Sequence, residues 1–257
     1  MGKPTFLCIG VQKSGTTSLI NYLNYHPDIF MHESEKHFFS RDLSNGKLTK
    51  NDFQRYESYF NTKKSIIGEK TPCYNLLQYA MDRIYDYNKD MKLIILLREP
   101  ISRAFSDYNM QINKRGKNLN CKTTEQIIKY FNHQKTGGIN ELKNNGNYSI
   151  IRGYYDEILE YIFSKFKREN IYIGISEEIK NDKIKYYNEI YEFLGTNKLN
   201  NINLNLDSHI RKYEKTIPPQ LELMLYNIYK SHNQKLYKLL GRKIKIWEDY
   251  YKKYKIS

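Results

Sequence analysis

Four short apolar runs punctuate the chain: Thr5–Val11 ("TFLCIGV"), Ile66–Glu69, Lys92–Arg98 ("KLIILLR") and Ile171–Ile175 ("IYIGI"). Short runs that stay apolar rather than alternating predict strands buried on both faces. Helical spacing covers Thr16–His26, Pro72–Asn88 and Pro100–Lys114. A last helix is expected over Pro219–Leu240, where Leu221, Leu225, Ile228, Leu236 and Leu239 would pack on the sheet. Strands alternating with helices predict an α/β fold, a three-layer sandwich around a central parallel sheet. Ligands of such sheets bind beyond the carboxyl ends of the strands. The turns at Gly10–Thr17, Glu69–Thr71 and Arg98–Pro100 are therefore expected to face one crevice.

The remaining segments interrupt this pattern without dividing it. Arg115–Asn147 is polar, carries Gly137, Gly138 and Gly146, and holds one helical stretch near Thr124–Phe131. It is read as an excursion over residues 115–147 that walls the substrate cleft. Asn197–Ser208 ("NKLNNINLNLDS") is a low-complexity loop. No repeat and no linker separates two domains, so residues 1–257 are expected to form one.

Composition changes the picture in three ways. The formal net charge of +14 favours polyanionic partners, although lysine-rich coding accounts for part of it. The 25 tyrosines, beside abundant Lys, Asn and Ile, fit the same coding bias. Cys8, Cys73 and Cys121 are too few and too far apart for a disulfide framework or a zinc site. The opening "MGKPTFLCIG" has too short an apolar core for a signal peptide, and no run approaches the roughly 18 apolar residues of a membrane span. The expectation is a soluble, cytoplasmic chain; a trimmed chain of secretory origin would look the same.

The first strand runs into "GVQKSGTTS", Gly10 to Ser18. Gly10 and Gly15 have the spacing of a nucleotide-triphosphate loop, but Thr16 follows Gly15 and the lysine stands earlier, at Lys13. A tight turn opening a helix aims backbone N–H groups at one spot, and the helix dipole adds positive charge there. Ser14, Thr16, Thr17 and Ser18 add hydroxyls and Lys13 a full charge. An ordinary strand-to-helix turn would also show a glycine and capping residues, so the loop alone does not decide. Arg98 ends another strand, and Ser106 lies along the helix that starts near Pro100. An arginine and a serine from one such turn can bind a second phosphate.

Four segments then fall in register: "IGVQKSGTTSLINYLNYHPDI", "ESEKHFFS", "GEKTPCY" and "LLREPISRAFSDY". Together they resemble the carbohydrate sulfotransferases that use 3′-phosphoadenosine 5′-phosphosulfate (PAPS), above all the heparan sulfate N- and O-sulfotransferase group. The resemblance runs from Phe6 to about Tyr108, then more weakly through "NYSIIRGYY" and "LYKLLGRKIKIW". It implies a P-loop-like phosphosulfate loop with its lysine ahead of Gly-Thr-Thr, and a reaction that needs no metal.

The resemblance also implies roles. Lys13 contacts the 5′-phosphosulfate; Ser14, Gly15, Thr16, Thr17 and Ser18 cradle it; Arg98 and Ser106 grip the 3′-phosphate. Glu35 is the general base, with Glu33 as a nearby competitor, and a carboxylate there serves better if partial burial raises its pKa. His37 orients the substrate or the carboxylate, and Lys70 offsets developing negative charge. Arg211 and Lys212 stand in for a late PAPS loop. The sequence departs from the group where Ser40, rather than an acid, follows His37-Phe38-Phe39, and its cysteines cannot supply the late-loop disulfide of some members. The function implied is in-line sulfuryl transfer from PAPS to a hydroxyl or amine of a carbohydrate acceptor. The alternatives are a nucleotide kinase, which would want a lysine after Gly15 and carboxylates for Mg²⁺, and a non-catalytic binder of polyanions or nucleic acid.

Overall fold

The computed structural model describes residues 2–43, 47–114, 123–132, 148–207 and 216–254. The chain packs as two compact units, Met1–Leu97 with Ile162–Ile210 and Arg98–Tyr161 with Arg211–Ser257.

The first unit is built on one five-stranded sheet. Its strands are β1 (Phe6–Gly10), β2 (Ile29–Met31), β3 (Ile66–Lys70), β4 (Lys92–Leu97) and β5 (Ile171–Ile175). Their order is β2-β3-β1-β4-β5, and every pairing is parallel. The four apolar runs all form strands, as the pattern predicts. β2 escapes the pattern because three residues show no periodicity; its pairing with β3, Ile29 opposite Ile66, makes it a strand.

Helix α1 (Thr16–Tyr25) and helix α8 (Lys183–Leu194) cover one face of this sheet. Phe6, Cys8, Ile94 and Leu96 meet Leu19, Tyr22, Leu23, Tyr187, Ile190 and Tyr191 there in one buried cluster. The Tyr22 and Tyr187 rings stack at 3.9 Å, and the Tyr191 hydroxyl donates to the Tyr22 carbonyl at 2.7 Å. Much of the tyrosine excess is thus core, and the hydroxyls of Tyr22, Tyr56, Tyr74, Tyr191 and Tyr229 find partners there. α1 stops at His26, ahead of Pro27, and α8 stops at Gly195, whose φ of 91° suits the left-handed end of a helix.

A second cluster of the first unit is aromatic. Phe38, Phe39, Tyr56, Phe60 and Tyr74 are buried, and Tyr56 comes from α2 (Lys50–Glu57), which opens on a reciprocal Thr49–Asp52 capping box. The helix expected over Pro72–Asn88 is broken into a 3-10 turn, Tyr74–Leu76, and α3, Gln78–Tyr87. Asn75 explains the break: its amide donates to Ile9 O at 2.6 Å and Pro72 O at 2.9 Å, tying the turn to the end of β1. Two further helices, α6 (Tyr155–Lys165) and α7 (Ser176–Asn181), flank β5 in sequence.

The second unit contains α4 (Pro100–Lys114), α5 (Thr124–Asn132), α9 (Pro219–Leu240) and α10 (Lys245–Tyr251). Both long helices begin at a proline, and α9 ends before Gly241 with φ 68°, so their sequence boundaries hold. The apolar stripe of α9 finds its main partners in α4 and α5, where the sequence reading expects the sheet. Around α4, Arg103 and Asp107 are fully buried and joined at 3.6 Å, and Arg152 reaches Asp107 at 3.1 Å. Of the excursion at 115–147 only the α5 segment is described. Arg211, Lys212 and Cys121 lie outside the described residues. Among the described residues no helix is long and apolar enough to cross a membrane.

Candidate active site

The carboxyl ends of β3, β1 and β4 lie side by side. Thr71 N–H donates to Cys8 O at 3.1 Å and Val11 N–H to Leu96 O at 2.9 Å, holding the turns after β3 and β1 to the neighbouring strands. The turn after β1 carries the Gly10–Ser18 loop. Gly10 leaves no room for a side chain, since a Cβ there would stand 1.7 Å from Asn75 Nδ2. Lys13 and Gly15 both adopt left-handed backbone, φ 76° and 85°, and the Ser176 hydroxyl donates to Ser14 O at 2.7 Å.

α1 then opens on Gly15 with no side-chain cap and no acidic residue in its first turn. That end of the helix carries the positive pole of its dipole with no acidic residue of its own turn beside it. The Ser14 hydroxyl is buried with no hydrogen-bond partner, while Thr17 and Ser18 stay half-buried. A neutral, donor-rich cradle beside lysine suits a phosphate or sulfate group, so these residues fit the phosphosulfate end of PAPS.

The carboxyl end of β3 brings Lys70 to this loop. Its ammonium donates to the Thr17 hydroxyl at 3.5 Å and to Glu35 Oε1 at 2.9 Å, with 7% of the side chain exposed. His37 Nε2 meets the other carboxylate oxygen at 3.2 Å, and His37 Nδ1 stands 3.7 Å from Cys73 Sγ. Four predicted residues, Thr17, Glu35, His37 and Lys70, are thus brought together. Glu33 is exposed, and the contacts to Lys70 and His37 go to Glu35.

The electrostatics do not lift the carboxyl. Burial pushes the Glu35 carboxyl up, but hydrogen bonds from His37 and Lys70 together outweigh it and hold the group below its ordinary value. Glu35 is therefore ionised at neutral pH, not lifted toward it. His37 is raised to about 10 by its bonds to Cys73 and Glu35, so it stays protonated and acts as a donor to the carboxylate.

Sequence reasoning missed the groups behind these. Glu69 is fully buried and accepts from the Tyr56 and Tyr74 hydroxyls and from Thr71. An acid within the apolar run "IIGEK" was the available signal, because buried carboxylates need partners. Asn75 and Cys73 carried no such mark.

Arg98 and Ser106 belong to the second unit. The Arg98 carbonyl accepts from Tyr155 OH at 2.8 Å, and Ser106 is buried within α4. Glu99 caps that helix, accepting from Ile101 N–H at 2.9 Å and Ser102 N–H at 2.7 Å. Tyr251 OH from α10 donates to Glu99 at 2.5 Å.

Residues 3–220 match the sulfotransferase domain family, and the chain belongs to it. Human heparan sulfate glucosamine 3-O-sulfotransferase 5 is 26% identical over 261 residues, spanning 93% of this chain and 72% of that protein. Human heparan sulfate glucosamine 3-O-sulfotransferase 3B1 is 30% identical over 197 residues, 76% of this chain and 47% of that protein, so the match spans about half of that relative's length. Among solved structures, a sulfotransferase from Alicyclobacillus acidocaldarius shares the fold with a TM-score of 0.75 at 23% identity, covering 96% of this chain and 100% of that one.

Proposed function

We propose that the chain, acting as a single functional domain, transfers a sulfuryl group from PAPS to a hydroxyl or amine of a carbohydrate acceptor. The observation that carries this reading is the Lys70 ammonium, bonded at once to the carboxylate of Glu35 and to Thr17 of the phosphate loop. One buried cation joins the group that would take a proton to the loop that would hold the donor. The names of the relatives, which act on heparan sulfate glucosamine, support a glycan acceptor and favour a hydroxyl.

Bound PAPS would supply the sulfuryl group and leave as 3′,5′-adenosine bisphosphate. Lys13, the Ser14–Ser18 backbone and the hydroxyls of the loop hold its phosphosulfate end, and Arg98 and Ser106 are assigned the 3′-phosphate. Arg211 and Lys212 are assigned the late loop. Glu35 accepts the proton of the acceptor hydroxyl, with His37 donating to its second oxygen and fixing its orientation. Lys70 and Lys13 offer positive charge where negative charge develops.

The test is calorimetric titration with 3′,5′-adenosine bisphosphate against ADP and ATP–Mg²⁺, followed by turnover of Glu35→Gln. Binding of the bisphosphate, with transfer by Glu35→Gln reduced at least about 10²-fold at unchanged bisphosphate affinity, is expected. Unchanged turnover would overturn the assignment of Glu35. Binding of ATP–Mg²⁺ alone would point to a kinase, and salt-sensitive binding of nucleic acid without the bisphosphate to a polyanion binder.

A further inference from the structure

Glu69 is a buried carboxylate held only by donors. Tyr56 and Tyr74 hydroxyls reach Oε1 at 3.0 and 2.9 Å, while the Thr71 hydroxyl and the Lys36 backbone N–H reach Oε2 at 2.9 and 3.3 Å. Burial pushes its carboxyl up, and these four bonds work against that rise. Thr71 serves twice, because its oxygen also accepts the backbone N–H of His37 at 3.3 Å. The two peptide N–H groups that follow Glu35 are therefore both tied to one carboxylate, one directly and one through a hydroxyl.

What is tied down is strained. His37 has φ 51°, left-handed backbone that a residue with a Cβ seldom adopts and keeps only when its surroundings impose it. The next two residues are clamped by the same tyrosines: Phe38 stacks on Tyr56 at 4.2 Å, and Phe39 lies edge-on to Tyr74 at 5.6 Å. Rings and hydroxyls of Tyr56 and Tyr74 thus hold one loop from two directions.

We propose that Glu69 is the positioning residue of this site: by holding Lys36 N–H directly and His37 N–H through Thr71, it sets where the Glu35 carboxylate and the His37 imidazole stand. It touches neither donor nor acceptor, and it acts through the loop. Its effect on turnover rests on the sulfotransferase reading above; its effect on His37 does not.

The test is Glu69→Gln, which keeps size and shape but turns one of the two accepting ends into a donor. Its first readout is NMR titration of the His37 imidazole in the ligand-free protein. In the parent chain the bonds to Cys73 and Glu35 hold that ring up, to about 10; in folded Glu69→Gln it is expected to fall toward 6.5, as those contacts loosen. The second readout is kinetic: kcat lowered on the order of 10²-fold with bisphosphate affinity within twofold, the mark of a misplaced group rather than a lost binding site. A folded Glu69→Gln with an unchanged His37 titration overturns the proposal. If that variant does not fold, Thr71→Val decides, since it cuts the relay to His37 and leaves the other donors on Glu69. The same downward shift supports the proposal, and an unchanged titration overturns it. A parent chain that transfers no sulfuryl group would sink the sulfotransferase reading and leave the titration to judge Glu69.

Discussion

Lys70 is the buried member of its ion pair with Glu35: 7% of the lysine side chain is exposed against 35% of the glutamate. Charge is costly to bury alone, so the lysine is held where an anion is always expected, beside Glu35 and at the loop of Thr17. Lys70→Met should lower kcat on the order of 10²- to 10³-fold, the usual cost of removing one stabiliser of developing charge. With a stabilising partner gone, the Glu35 carboxyl should also rise, shifting the acid limb of the pH–rate profile upward. Steady-state rates across pH check both.

His37 should leave a signature in stability. Its folded-state value near 10 lies above the 6.5 of an unfolded chain, so its contribution is complete below pH 6.5 and is lost as pH rises through about 10. Urea unfolding should show stability declining across that window, and His37→Gln should flatten the decline. Because the ring is 56% exposed, solvent screening keeps the amplitude small.

Arg98→Ala should weaken 3′,5′-adenosine bisphosphate on the order of 10- to 100-fold, the worth of charge-assisted bonds to a phosphate, with thermal stability unchanged. Calorimetry measures it. An unaltered affinity would remove Arg98 from the assigned 3′-phosphate contacts.

Gly10→Ala should be poorly tolerated, since the new Cβ would meet the Asn75 amide at 1.7 Å. A loss of about 1–3 kcal/mol is expected from such overpacking. Asn75→Ala in the same background should restore part of it, a coupling that a double-mutant cycle reads directly.

Tyr251→Phe should cost about 1–3 kcal/mol in chemical unfolding, because it strips a donor from the buried, helix-capping Glu99. The effect tests whether the last helix supports the start of α4.

The sequence was legible where signals are local. Pro100, Pro219 and Gly241 mark helix ends by their own backbone restrictions, and the runs at β1, β4 and β5 declare themselves by length and apolarity. β2 was hidden because Ile29–Met31 is a strand only through its partner β3. The break in Pro72–Asn88 was hidden because Asn75 spends its side chain on a residue 66 positions away. The site divides in the same way. Glu35, His37 and Lys70 stood in recognisable motifs with roles attached, whereas Glu69 and Cys73, in the same "GEKTPCY" segment as Lys70, and Asn75 just after it act through contacts that the segment does not reveal. The direction of the Glu35 shift was not legible for the same reason: it depends on two cations folded against the carboxylate.

Glu69 and Lys70 are consecutive residues of β3 that face opposite sides of the sheet, one into the aromatic cluster and the other toward the phosphate loop. Gaining or losing a single residue within β3 would exchange them, seating an ammonium among tyrosines and presenting the carboxylate to an anionic ligand. Length change within this strand is therefore expected to break the aromatic cluster and the contact to the loop of Thr17 together.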